Sequence, residues 1–245
     1  PENFPPGVRR DLDNLPGKFP LLLEGLVWED IEFIHDIPGK NAKRYGLGGG
    51  GLTTSRLVEV IGEAERSIVI QSPYLVFPEG GIEYFRDITA RGVKVAISTN
   101  SMAATDNLPA FSGYRKQRKQ ILEAGVEVYE FRPHPRHCGE LIERYPSIEG
   151  NEPVFAIHAK TLVIDSRILY IGTFNLDPRS ANLNTEVGVL VENERLAGRG
   201  EQAIKKDMAA GNSWNAGKDD PDSHAPLAKR LRVALMKVLP LRSLL

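Results

Sequence analysis

The stretch FAIHAKTLVIDSRILYIGTFN, Phe155 to Asn175, sets an imidazole, an ammonium, a hydroxyl and a carboxamide within two otherwise apolar, strand-like runs. His158 and Lys160 lie two residues apart, and alternate residues of a strand share a face. Asp165-Ser166-Arg167-Ile168 reads as a tight hairpin with Ser166 and Arg167 at its tip. That register predicts Lys160 opposite Thr173 and His158 opposite Asn175, facing Cβ atoms being about 4.5–5.5 Å apart. A desolvated ammonium needs an anion, and donors gathered without enough acceptors suit a phosphate. An isolated His-x-Lys pair reads as a salt-bridged lysine beside a satisfied core histidine, with Glu186 as the lysine's partner. The full spacing favours phosphate chemistry instead. It runs H-x-K-x4-D-x6-G-T-x-N from His158 through Lys160, Asp165, Gly172 and Thr173 to Asn175, and NTEVGV then brings Glu186 on the next strand-like run. Lys160, Thr173 and Asn175 are the expected phosphate ligands. Asp165 completes the string, but its odd parity from His158 faces it away from a phosphate and gives it a bracing role.

The elements that must hold these groups form an alternating series. TTSRLVEVIGEAE carries helix-capping residues followed by apolar positions at Leu57, Val58 and Ile61. SIVIQS is a β-branched strand stopped by Pro73, GGIEYFRDITARG a helix closed by Gly92, and VKVAIST the next strand. A helix from about Asn107 to Ala124 ends at Gly125, and VEVYEF follows as a strand. The hairpin, NTEVGVLVEN and a helix over about Glu194 to Met208 complete the series. Such alternation predicts an α/β fold, with a mixed, mainly parallel sheet flanked by helices on both faces. The expected organisation is an extended N-terminal arm and linker over 1–52, a catalytic domain over 53–210, and an acidic loop with a basic amphipathic tail over 211–245. Leu21 to Phe33 is expected to add a short helix and an edge strand. GLGGGG, Gly46 to Gly51, lacks the Lys-Ser/Thr of a phosphate-binding loop and reads as a flexible breaker. In the polar loop Arg132–Ile148, His134, His137 and Cys138 cluster without a second ligand pair at zinc spacing, so a solvated loop or a lid over the site is expected in place of a metal. In the tail, Leu227, Leu231, Ala234, Leu235 and Val238 share a helical face. Lys229, Arg230, Arg232, Lys237 and Arg242 mostly take the other, which suits docking on the domain or an anionic lipid surface.

A chain of 245 residues at 41% hydrophobic content buries a substantial core. A formal net charge of −1 gives no global attraction to nucleic acid. GYRKQRKQ, Gly113 to Gln120, is an internal basic cluster that reads as a solvated helix face. The single cysteine, Cys138, excludes an internal disulfide and suits a reducing compartment. The chain begins Pro-Glu-Asn, and is read as a piece of a longer protein.

The His-Lys-Asp string resembles the hallmark of the phospholipase D superfamily, which usually has Ser at the position of Thr173. SPYLVFP (Ser72 to Pro78), STNSMAATD (Ser98 to Asp106) and GTFNLDPRSANLNTE (Gly172 to Glu186) resemble the C-terminal catalytic half of bacterial cardiolipin synthases, from about Leu21 onward. The resemblance implies a phosphatidyltransferase that passes a phosphatidyl group through a phosphohistidine to a phospholipid alcohol, without metal or other cofactor. It implies His158, Lys160, Asp165, Asn175 and Glu186 as catalytic residues. One imidazole attacks phosphorus while another serves as general acid and base; which role is His158's stays open. Lys160 offsets phosphoryl charge, and Glu186 orients an imidazole.

Such synthases carry two copies of the string and this chain carries one. His35, His134, His137 and His224 lack a Lys two residues later. The expected partners are therefore a phospholipid substrate, an anionic membrane surface, and either a missing N-terminal half or a second copy of the chain; nucleic acid is not favoured. The implied location is peripheral, on the cytoplasmic side of a bacterial inner membrane. Two alternatives are a homodimeric phosphodiesterase using water, acting on lipid or nucleic acid, and a scaffold half without activity.

Overall fold

A computed structural model describes residues 10, 13–24, 26–40, 50–139 and 153–236. Two compact units divide the chain, Pro1–Asp30 and Ile31–Leu245. Within the first, Leu15–Glu24 forms helix α1, with Pro20 inside it.

The second unit is built on an eight-stranded mixed sheet among the described residues. In chain order its elements are β1 (Ile31–His35), α2 (Leu52–Gly62), β2 (Ser67–Gln71), α3 (Gly81–Ala90), β3 (Lys94–Asn100), α4 (Leu108–Glu123), β4 (Val126–Phe131), β5 (Thr161–Ile164), β6 (Ile168–Gly172), α5 (Pro178–Asn182), β7 (Val187–Glu192), α6 (Glu194–Met208), β8 (Ser213–Asn215) and α7 (Leu227–Met236). The strands lie in the order β1-β7-β6-β5-β2-β3-β4-β8. The α/β class, the mixed sheet and the helices on both faces agree with the sequence. The share of parallel pairing does not. Only β2–β3 and β3–β4 are parallel; β5, β6, β7 and both edges join antiparallel. A parallel pair needs a crossover, and only α3 and α4 provide one between neighbouring strands.

Each face has its own core. Ile68, Ile70, Leu162, Ile164 and Tyr170 pack under α2, α3 and α4, while Val69, Val163, Leu169 and Val191 meet Ala197, Ile204 and Met208 of α6. Helix ends follow local chemistry. Asn107 Oδ1 takes the Ala110 N–H (3.1 Å), Asn193 Oδ1 takes that of Leu196 (2.9 Å), and Gly92 and Gly125 close α3 and α4 at φ 89° and 82°. At α2 the expected threonine caps are absent. Thr53 and Thr54 turn their hydroxyls to the carbonyls of Glu186 (3.2 Å) and Ala181 (2.9 Å), and Asp36 takes the Thr53 N–H (3.0 Å).

The stretch AAGNSWNAGKDDPDSHAP, which covers the expected acidic loop, holds β8, which pairs with β4. Trp214 is buried there and stacks on His224 (4.6 Å between centroids). The helix α7 docks through Val233, 1% exposed, and through Lys229, whose ammonium donates to the carbonyls of Ala103 (2.8 Å) and Thr105 (3.0 Å). Leu227, Leu231 and Leu235 remain 57–74% exposed. Val238, Lys237 and Arg242, like Gly46 to Gly49 and residues 140–148 of the polar loop, lie outside the described residues.

Candidate active site

The hairpin that organises the site departs from the expected register. Its turn is centred on Asp165 and Ser166, both at φ 54°, and Arg167 N–H closes it onto the Ile164 carbonyl (2.9 Å). Pairing resumes at Ile164–Ile168, so Arg167 is an extra residue on one side. Lys160 consequently meets Gly172, whose N–H donates to the Lys160 carbonyl (3.1 Å), and the expected oppositions of Lys160 with Thr173 and His158 with Asn175 do not form. Nor are His158 and Lys160 inside a strand, since β5 begins at Thr161. The left-handed turn is held by Asp165 itself. Its carboxylate accepts the N–H groups of Glu65, Arg66 and Ser67 (2.7–2.9 Å). Burial alone would raise the Asp165 pKa, but those three hydrogen bonds outweigh it and hold the carboxyl below its usual range. Asp165 thus sits at the opposite end of β5 from Lys160, where it ties the hairpin to the start of β2. The motif glycine also has a steric reason: a Cβ on Gly172 would lie 2.2 Å from the Tyr170 hydroxyl and 2.5 Å from the Val187 carbonyl.

At the other end of the hairpin Glu186 bonds Thr173 and lies within electrostatic reach of Lys160. This carboxylate is buried, 3% exposed, and accepts the Thr173 hydroxyl. Thr173 Oγ1 also takes the Val187 N–H (3.0 Å). Lys160 is half-buried, and desolvation pulls its pKa down against the opposing charges of Glu186, Asp177 and Asp106. Among the described residues its ammonium forms no ion pair; it donates to the His158 carbonyl (2.8 Å). Glu186, the lysine's partner in the salt-bridged alternative, accepts from Thr173 instead. Asn175 gives its N–H to Ser180 Oγ (3.1 Å), and its Oδ1 is buried without a hydrogen-bond partner among the described residues. The His158 side chain is exposed.

Several supporting residues carry no role in the sequence reading. Asn100 clamps the chain just before His158, taking the Ile157 N–H (2.7 Å) and donating to the Ile157 carbonyl (2.9 Å). Ser72 Oγ takes the Leu176 N–H (3.1 Å), and Asp177 Oδ1 takes that of Ser180 (2.7 Å). All three lie in the stretches SPYLVFP, STNSMAATD and GTFNLDPRSANLNTE. Asp36 has no such signal. Fully buried and paired with Lys40 (2.8 Å), it accepts the Glu186 N–H (3.0 Å) and so fixes the backbone that carries the site carboxylate. Burial would raise its pKa, yet the bonds from Lys40, Glu186 and Thr53 hold it below the usual range.

In the polar loop, His137 pairs with Asp207 (3.2 Å), which also accepts from Gln71 (2.6 Å). Among the described residues no three His, Cys, Asp or Glu side chains converge as a metal site. Of the basic cluster on α4, Arg118 is drawn inward while Arg115 stays exposed. Arg115 and Arg118 each meet Asp222 (2.8 Å), and Arg118 also meets Glu130 (3.0 Å).

Comparison with known proteins places this site in context. Residues 57–208 match the family model described as cardiolipin synthase, PLD-like domain. Cardiolipin synthase C of Escherichia coli is 39% identical over 175 residues, covering 70% of this chain and 35% of that protein. The chain therefore spans about a third of that relative's length. Among solved structures, the phospholipase D family member Nuc from Salmonella typhimurium superposes with a TM-score of 0.52 at 15% identity, covering 76% of this chain and 97% of that one. Phosphatidylserine synthase of Haemophilus influenzae gives 0.54 at 15% identity, covering 86% and 47%. At such identity these two bear on the fold alone.

Proposed function

This chain belongs to the family of cardiolipin synthase, phospholipase D-like domains, and from that premise we propose that it supplies one half of a phosphatidyl-transfer centre. The observation that carries the reading is Lys160. A half-buried ammonium with no carboxylate bonded to it among the described residues, beside an exposed imidazole, retains donors for phosphoryl oxygens. Asn175 adds an amide at the same end of the hairpin. In the reaction an imidazole attacks phosphorus, the P–O bond to the leaving alcohol breaks, and that alkoxide takes a proton from a second imidazole. The second imidazole then removes the proton of the acceptor hydroxyl as its oxygen displaces histidine. His158 provides one of the two imidazoles. The other comes from a second His-x-Lys set, on another stretch of a longer chain or on a second copy. Glu186 orients an imidazole.

The acceptor is proposed to be a phospholipid alcohol, so that two phosphatidylglycerols yield cardiolipin and glycerol. Arg118 is drawn inward to Glu130 and Asp222, which leaves only a short exposed basic face on α4 where a nucleic-acid groove needs a stripe of cations. The leucine stripe of α7 supports a peripheral seat on an anionic membrane, for which the cytoplasmic surface is proposed from the family resemblance alone; no described helix is long and apolar enough to cross one. The exposure of His158 favours one second reading, hydrolysis by water. The test incubates the protein together with the second His-x-Lys set, as the longer chain or as a dimer, with phosphatidylglycerol vesicles with and without EDTA, and separates the lipid products. Cardiolipin with glycerol supports transfer, phosphatidate with glycerol supports hydrolysis, and loss of either product in EDTA refutes the metal-free step. His158→Ala is expected to reduce turnover at least 1000-fold, on the order of a lost covalent nucleophile or general acid; turnover that survives it removes His158 from the mechanism.

A further inference from the structure

We propose that the apolar cavity beneath α2 and α3 receives the hydrocarbon of an amphiphilic phosphate ester whose phosphate lies at Lys160. The inference rests on the phosphoryl-transfer reading above and adds a subsite to it. The cavity has a volume of about 110 Å³ and lies between the two helices and strands β2, β5 and β6. Leu57 and Ile61 of α2, Phe77, Phe85 of α3, Leu162 and Phe174 give it an apolar wall.

The polar groups on its border decide what it can hold. Thr54, Gln71, Ser72 and Asp177 all reach it, and each is engaged within the protein: with the Ala181 carbonyl, Asp207, the Tyr74 carbonyl and the Ser180 N–H. Lys160 also lines it and keeps donors free. A water molecule needs two to four polar partners, and engaged groups offer few, so the space is suited to hydrocarbon. An apolar cavity of about 150 Å³ accepts a benzene ring, which scales this one to a run of about four methylenes. One cation at the border of a dry apolar space complements an alkyl phosphate, head and tail.

The fit predicts a chain-length effect. Each buried methylene contributes about fourfold in affinity, so four give on the order of 100-fold. Calorimetric titration with methyl, butyl, hexyl and decyl phosphate measures it on the chain as it stands. Affinity is expected to climb over a span of about four methylenes and then level. Ala181→Leu, which adds atoms at the cavity wall, and Val58→Phe, at its outer side, are expected to flatten the climb while leaving methyl phosphate binding unchanged. Lys160→Ala is expected to weaken every phosphate by the same factor and leave the climb intact.

Two further measurements keep the outcomes separable. A decyl phosphate with a photoreactive ω-carbon, irradiated and mapped by mass spectrometry, is expected to label α2 or α3. Hexanol is titrated as a tail without a head. If the phosphates bind through Lys160 with no chain-length gain, or the label lands elsewhere, the tail subsite is overturned and the phosphate reading stands. If hexanol binds and both filling variants block it, while Lys160→Ala leaves every alkyl phosphate unaffected, the phosphate reading fails and the proposal as stated fails with it. A gain that persists in both filling variants also overturns it.

Discussion

Lys160 and Asp165 occupy one motif five residues apart, and their surroundings give them opposite tasks. Lys160 is half-buried and its pKa is lowered, chiefly by desolvation. Loss of its proton as pH rises would remove the charge that holds a phosphate. An imidazole that must donate a proton sets the alkaline fall of kcat/KM, so the lysine shows itself in binding: the alkaline limb of methyl phosphate affinity is expected below the ordinary lysine range. Lys160→Arg, which stays charged, is expected to carry that binding limb to higher pH. An alkaline limb in the same place for both proteins would detach it from Lys160. Asp165 is held the other way, with three backbone N–H groups on one buried carboxylate. Asp165→Asn keeps the shape and loses the charge. Bonds to a charged acceptor contribute about 1.5–3 kcal/mol each, against about 0.5–1.5 kcal/mol for neutral ones. The amide weakens two of the three and, with a donor where an oxygen stood, loses the other. A loss of about 3–6 kcal/mol in unfolding free energy is therefore expected, with kcat little changed in whatever protein remains folded. Stability contributed by its depressed pKa is present above the ordinary aspartate value and lost as pH falls through the folded one, so the difference between the two proteins shrinks in acid. A large fall in kcat with stability intact would return Asp165 to the chemistry.

At the scale of elements, α7 shows what a periodic pattern conveys and what it leaves open. The spacing of Leu227, Leu231 and Leu235 marks one apolar face, yet the residue that docks is Val233, from the side where the charges lie. The stripe left outward, flanked by Arg230 and Arg232, has the composition of a helix at an anionic lipid surface. Replacing Leu231 and Leu235 together by Ser is expected to lower partition onto phosphatidylglycerol-rich vesicles about tenfold or more, with thermal stability unchanged because both are exposed. Sedimentation with vesicles measures it, and equal binding by both proteins would leave the stripe without a lipid role. The same contrast runs through the fold. Helix bounds at Asn107, Gly125 and Asn193 were legible because caps act on near neighbours. The hairpin register was not, because one extra residue at Arg167 follows from backbone contacts between Asp165 and the distant start of β2. The spacing of the string is legible in the sequence, but its residues do not share one end of the hairpin: Asp165 lies at the turn, away from Lys160 and Thr173. Asp36 was invisible: it acts through a hydrogen bond to Glu186, 150 residues away, that no local pattern encodes. A three-residue strand such as β8 shows no alternation to read, and forms because Trp214 is buried and His224 stacks on it.

Across the whole second unit, the sheet separates two cores, and a second group of buried charges lies apart from the site residues. Glu130 of β4 is wholly buried and accepts the Tyr114 hydroxyl (2.9 Å) while Arg118 pairs with it and with Asp222. The cluster therefore joins the sheet, α4 and the segment after β8. Burial pushes the Glu130 pKa up to about 7, with Arg118 and Tyr114 restraining the rise. In the unfolded chain the same group titrates near 4.5. Below that value both states are protonated and the contribution is complete. Between 4.5 and about 7 the unfolded chain gives up the proton that the folded one keeps, so stability falls as pH rises through that window. The shift corresponds to about 3 kcal/mol. Glu130→Gln keeps a neutral amide in place and removes the titration. Urea unfolding at pH 5 and pH 8 is expected to show the parent losing about that much stability relative to Glu130→Gln. Asp177 and Asp207, whose pKa values are also raised, titrate in both proteins and cancel in the difference. Parallel losses in the two proteins would mean that Glu130 stays ionised against Arg118 throughout. The cluster would then be a permanent ion pair holding α4 and the C-terminal segment to the sheet.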